Sequence, residues 1–225
     1  MGLLDRIKQT GWRYSFEIAF NRFVPKWLFR CRKFNVYQLG SRVERSTHTP
    51  LQETVVGWCD SDADTEAVEK LTYFNRSLSS GDLKACQARI GNDLAGGFWR
   101  ATKQFDESEL GIRYRLNENQ AWLFAALVDT AHRRKGIYNE ILRFILPALD
   151  EKGLTHQLVA VNPHNLQSDR IHRQYSFYSP GSVFVMRCFN VALCFGLGQI
   201  KCDRMFTFNA RNNPIELKIH SSDQD

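Results

Sequence analysis

At 225 residues the chain can bury a full apolar core in one domain with a short extension. A composition of 43% hydrophobic and 12% aromatic residues excludes a disordered chain. The net charge of +6 is confined to one end: residues 1–33 hold eight bases (Arg6, Lys8, Arg13, Arg22, Lys26, Arg30, Arg32, Lys33) against Asp5 and Glu17, and the rest is neutral. The six cysteines form no C-x-x-C pair and no zinc-spaced set, so no metal site is expected. The N-terminus lacks the apolar run and cleavage site of a signal peptide, which predicts buried thiols in a reducing cytoplasm. The best apolar run, Cys188 to Ile200, is too short for a bilayer and carries Asn190 and Gln199.

Residues 1–33 read as an amphipathic arm: Leu3, Leu4, Ile7, Tyr14 and Ile18 follow helical spacing between the charges. Phe34 to Leu39 is predicted as a strand, and residues 41–53 as a loop or hairpin arm. Small acidic and polar residues from Asp60 to Asp64 start a helix with Ala67, Val68, Leu71 and Phe74 on its apolar face. Ser80 or Asp82 is expected to cap a second helix running to Ile90, ended by Gly91-Asn92-Asp93. Leu94 to Thr102 follows as a strand, with Gly96-Gly97 marking a bulge or a close approach. Ile112 to Leu116 and Ala121 to Asp129 are two more strands. From Arg133 to Leu149 a helix places Ile137, Ile141, Leu142, Ile145 and Leu149 on one face, opposite Asn139, Glu140 and Arg143. A strand over Gln157 to Val161, a helix over Asn165 to Tyr175, a hairpin of Ser182 to Cys194 with Ile200 to Phe208, and a polar tail from Asn209 complete the chain.

The chemistry concentrates where the strand Ala121 to Asp129 meets the helix after Arg133. The first turn of a helix exposes unpaired N–H groups and partial positive charge, which suit phosphate. Arg133, Arg134 and Lys135 add full charges, and Gly136 lets the backbone approach a diphosphate. A solvated basic loop fits the same residues. The stretch matches neither G-x-x-x-x-G-K-[ST] nor G-x-G-x-x-G, and no G-x-S-x-G elbow occurs in the chain.

The turn resembles the [RQ]-x-x-G-x-[GA] signature of the GNAT superfamily of N-acetyltransferases. Arg133-Arg-Lys-Gly136-Ile-Tyr138 matches at the Arg and the first Gly, and departs at Tyr138. A second match follows: Asn165-Leu-Gln-Ser168, a short helix, then Ser176-Phe177 where the family carries Gly-Phe. The resemblance covers roughly residues 34–208. It implies an α/β (α+β) fold with a mixed, mostly antiparallel central sheet flanked by helices, between the arm 1–33 and the tail 209–225.

As cosubstrate the resemblance implies acetyl-CoA or another acyl-CoA. Backbone groups of Leu127 and Val128 would meet the pantetheine. Arg133, Arg134, Lys135, Gly136, Ile137 and Tyr138 would cradle the pyrophosphate, and Asn162 and Asn165 would bond the pantetheine. An amine acceptor would attack the thioester directly. The family's Tyr proton donor corresponds here to His172, with Tyr175 and Tyr178 as alternatives; a helix His without a catalytic role fits equally. Glu107, Glu109 and Glu118 are loop acids with nothing to single one out as base. The missing base leaves a second reading, a non-catalytic acyl-CoA-binding or regulatory module. The basic aromatic arm can pack on the domain or lie on an anionic membrane, which would make the chain cytoplasmic or peripheral. No nucleic-acid module is present.

Overall fold

The computed structural model describes residues 23–25, 28–40 and 54–220. Most of the arm and the expected loop at 41–53 lie outside the described residues. Contacts within the chain gather into two compact units.

The first, here the two-helix unit, comprises the described residues of Gly40–Phe105 and Leu116–Leu158. Its strands β2 (Thr54–Trp58), β3 (Asp82–Ile90), β4 (Asp93–Thr102) and β7 (Gln120–Val128) pair antiparallel in the order β7-β4-β3-β2. Residues 82–90 are thus a strand and not the expected helix. Lys84, Ala85, Gln87 and Ala88 favour helix intrinsically, but Gly91-Asn92 turns the chain into a hairpin that pairs Cys86 with Phe98 and Ala85 with Trp99. Burial against cross-strand neighbours overrides the local preference.

Helix α1 (Asp62–Thr72) begins where expected: the Ser61 hydroxyl accepts from the Asp64 N–H at 3.1 Å, with Asp62 and Asp64 at the positive helix end. Tyr73 ends it in the left-handed conformation. Helix α2 (Ile137–Asp150) buries Ile137, Ile141, Leu142, Ile145 and Leu149, the five residues its periodicity singled out. Burial of each contributes about 2 kcal/mol. The helix starts at Ile137, because residues 133–136 form a turn.

The glycine pair in β4 marks a close approach of both helices. A Cβ on Gly96 would lie 3.0 Å from Ile141 Cδ1 and 3.1 Å from Ile137 Cγ2 of α2. A Cβ on Gly97 would lie 2.9 Å from Val68 Cγ1 of α1. Beside it, Trp99 packs edge-on to Phe74 and donates from Nε1 to the Thr72 hydroxyl at 3.0 Å.

Strand β8 (His156–Val161) leads the chain into the second, hairpin unit, the described residues of Met1–Leu39, Asp106–Arg115 and Val159–Asp225. Here β1 (Phe29–Leu39), β9 (Ser176–Cys188), β10 (Val191–Gly198) and β12 (Phe206–Thr207) pair antiparallel in the order β12-β10-β9-β1. Strand β1 starts five residues earlier than expected, so the last residues of the arm belong to a sheet. The hairpin turns at Phe189-Asn190, with Phe189 left-handed, and not after Cys194 as the apolar run suggested. A smaller sheet runs β11 (Ile200–Cys202), β13 (Ile215–Ile219), β6 (Ile112–Arg115), β5 (Gln104–Glu107).

The expected polar tail therefore contains a paired strand. Ile215, Leu217 and Ile219 are buried, and their period-2 spacing is the signal that the polar residues around them masked. The buried Arg187 ties the hairpin to the β5–β6 turn, donating from Nη1 to the carbonyls of Ser108 at 2.6 Å and Glu109 at 3.1 Å. All six cysteines are free thiols, and Cys194 and Cys202 bring their sulfurs within 3.7 Å. Among the described residues no helix is long and apolar enough to cross a membrane. Helix α3 (Leu166–Tyr175) completes the unit.

Candidate functional site

The residues singled out by sequence fall into two groups, one in each unit. In the two-helix unit, β7 pairs with β4 from Trp122 to Phe124, slips, and resumes at Leu127 opposite Gly97 and Val128 opposite Gly96. Ala125 and Ala126 thus oppose the single residue Phe98, which is a β-bulge. Ala125 takes a φ of 47°, a conformation strained for a residue with a Cβ. Such bulges interrupt the ladder and re-aim backbone groups. Sequence reasoning missed this feature; two adjacent small residues in a strand of Trp, Leu and Phe were its only trace.

Beyond the bulge, Asp129 donates its N–H to the Ala95 carbonyl at 2.9 Å, and its carboxylate accepts from Ala131 N–H at 2.9 Å, closing a short 3-10 turn over Thr130–His132. Arg133, Arg134, Lys135 and Gly136 then stand exposed in sequence. Arg134 and Gly136 have φ of 66° and 77°. Left-handed residues interspersed in a turn curl backbone amides into anion-binding concavities.

Gly136 is the N-cap of α2 and offers no side-chain oxygen. The other described helices differ: Ser61 caps α1 and Asn165 caps α3 with their side chains. The α2 N-terminus therefore has no side-chain cap of its own, in a turn with three cations. A diphosphate fits that chemistry. Arg133 is partly engaged, donating from Nε to the Val128 carbonyl at 3.2 Å. Ile137 is buried, so of its groups only the backbone suits a ligand. Tyr138, at the position where the family motif is small, packs its ring 6.0 Å from that of Phe98.

In the hairpin unit, Asn162 and Asn165 shape the entry to α3. The Asn165 side-chain oxygen accepts from the Ser168 N–H at 3.3 Å, and that of Asn162 from the His164 N–H at 2.9 Å. Each oxygen thus already accepts one backbone N–H. His172 is buried, not the half-exposed helix residue that its polar neighbours suggest. Its Nδ1 lies 2.7 Å from the Ser168 carbonyl, which accepts only a proton-bearing nitrogen. Burial lowers its pKa, opposed by the Ser168 carbonyl and Asp169. The ring is thus neutral near pH 7 with Nε2 as its basic nitrogen.

Tyr175, the last residue of α3, is half-buried. On β1, Tyr37 donates its hydroxyl to Asp169 at 2.6 Å, and Arg173 pairs with the same carboxylate at 2.7 Å. Sequence offered no signal for this contact, made over 132 residues of chain. No group of acids, cysteines and histidines suited to a metal occurs among the described residues.

No protein-family model and no curated protein matches the chain in sequence. Solved structures match in fold. One, from Novosphingobium aromaticivorans and described as a GNAT-family acetyltransferase, aligns with a TM-score of 0.50 at 13% identity, over 70% of this chain and 63% of its own. A GCN5-related N-acetyltransferase from Kribbella flavida aligns at 0.43 and 11% identity, over 70% and 58%. A GNAT-family acetyltransferase from Colwellia psychrerythraea aligns at 0.44 and 14% identity, over 70% and 56%. The match spans less than two thirds of each of these proteins. The first of them carries the conclusion that this chain has the α+β fold of the GNAT acetyltransferases.

Proposed function

We propose that the protein transfers an acyl group from acyl-CoA, with acetyl-CoA as the simplest donor, to an amine acceptor. The observation that carries this is the turn from the β7 bulge to α2. A strained bulge, three consecutive cations and a glycine-capped helix start follow one another within twelve residues, in a chain with the GNAT fold. The two resemblances are independent, one of sequence motif and one of backbone path.

In this reading the backbone beside Leu127 and Val128 meets the pantetheine, and the amides and cations of residues 133–138 meet the pyrophosphate. The acceptor nitrogen attacks the thioester carbonyl, the C–S bond breaks, and the CoA thiolate leaves. The nitrogen must lose a proton and the thiolate gain one. The resemblance gives the proton donation to α3 and leaves the base open. Its buried neutral His172, with Nδ1–H spent on Ser168, suits the proton acceptor better than the donor first expected. Tyr175 is the candidate donor.

Calorimetric titration with acetyl-CoA, a longer acyl-CoA and free CoA tests the reading on wild type and on Gly136→Glu. Binding that is lost in a folded Gly136→Glu variant is the expected result. No binding of any of the three by folded wild type refutes it. Binding without turnover on a broad amine panel would leave an acyl-CoA-binding module.

A further inference from the structure

Three cations of the two-helix unit surround one indole ring. Lys84 Nζ lies 5.6 Å, Arg100 Cζ 5.8 Å and Lys152 Nζ 5.7 Å from the centroid of Trp58. Lys84 and Arg100 are directly opposed in the β3–β4 ladder, where like charges destabilise a sheet. Lys152 arrives from the turn after α2, and Trp58 is placed by its contact with Phe144 of that helix, ring centroids 5.9 Å apart.

Among the described residues one carboxylate answers these charges. Asp82, itself mostly exposed, reaches Arg100 Nη1 at 3.5 Å. Among the described residues Lys84 and Lys152 form no ion pair. Arg100 is 8% exposed, and its buried Nε has no hydrogen-bond partner among the described residues. A guanidinium that deep keeps its donors matched to an acceptor, because an unmet one forfeits its hydration. Cation–π attraction accounts for one cation on the ring. It does not account for three that repel one another, nor for the empty donor in the plane of the guanidinium.

We infer that Lys84, Arg100 and Lys152 form an anion site beside Trp58, built for a doubly charged oxyanion of the phosphate type, free or as a monoester. The charges balance: three cations and one carboxylate leave an excess of two. The site is separate from the turn proposed for the CoA pyrophosphate, since Lys152 follows the C-terminus of α2 and Gly136 caps its N-terminus. A helix of 14 residues sets those ends about 20 Å apart. Trp58 makes the site self-reporting, because an anion drawn to these cations changes the field on the indole.

The test is a titration with sodium phosphate at constant ionic strength, with chloride as control, followed by tryptophan emission and by calorimetry. A parallel titration uses ribose 5-phosphate, and tighter binding of either compound identifies the source of the oxyanion. A saturable response is expected in wild type and in Gly136→Glu. Lys152→Gln, at the surface, and Lys84→Gln, at a half-buried strand position, should each weaken binding about fivefold. Trp58→Phe should remove the emission change and keep the calorimetric signal. A wild-type response no larger than that to chloride overturns the proposal. So does a saturable response that both lysine variants retain in full, or one that only Gly136→Glu removes.

Discussion

Gly97→Ala probes how closely α1 is pressed onto β4. The new methyl would sit 2.9 Å from Val68 Cγ1, 3.0 Å from Thr72 Cγ2 and 3.6 Å from Leu71 Cδ2. Neither of the two closest groups can swing away. Val68 is fully buried and β-branched, and the Thr72 hydroxyl is fixed between the Val68 carbonyl at 2.7 Å and Trp99 Nε1 at 3.0 Å. Overpacking of this kind costs about 1–3 kcal/mol. Against it stands the gain of roughly 0.5–1 kcal/mol that alanine normally brings to a strand in place of glycine. The net destabilisation is then about 1.5 kcal/mol, a fall in melting temperature of roughly 3–6 °C for a chain of this size. Urea and thermal unfolding of Gly97→Ala, Val68→Ala and the double variant measure it. In the double variant the methyl enters the space that Val68 vacates, so the two changes should couple favourably by about 1 kcal/mol. A Gly97→Ala protein as stable as wild type would show that α1 is not seated as described.

The bulge and α3 give two further expectations. Ala125→Gly should stabilise the protein by about 1 kcal/mol in chemical unfolding, because glycine adopts a φ of 47° without the Cβ penalty; a loss of stability would mean that Ala125 is not left-handed. His172 has a folded pKa lowered by burial from its ordinary 6.5, so the unfolded chain binds its proton first. The stability it lends in the neutral form is therefore complete above pH 6.5 and lost as the pH falls from there towards the folded value. Unfolding midpoints should drop on acidification through that window, less steeply in His172→Gln; identical slopes would place His172 at the surface.

Much of the two-helix unit was legible from local pattern. The apolar period of Ile137, Ile141, Leu142, Ile145 and Leu149 names the buried face of α2, and Ser61 with its following acids marks the start of α1. These are properties of neighbours in the chain, whose spacing alone sets which side chains share a face. The turn at Arg133–Gly136 was legible for the same reason: a helix start, its charges and its glycine are contiguous.

Residues 82–90 show the limit. Their composition suits a helix, and only pairing with β2 and β4 makes them a strand. The strand at Ile215–Ile219 was hidden in a polar tail because its partner Ile112–Arg115 lies a hundred residues away. Pairing energy of that kind depends on which strand arrives alongside, and no local pattern records it. The bulge at Ala125, the burial of His172 and the gathering of Lys84, Arg100 and Lys152 around Trp58 are likewise products of register and packing. The sequence by itself determined the helix faces, the caps and the basic glycine turn, since those follow from interactions within a few residues. Tertiary structure decided the ladder, the strained backbone and the ionisation of buried groups, because each depends on neighbours that only the folded chain supplies.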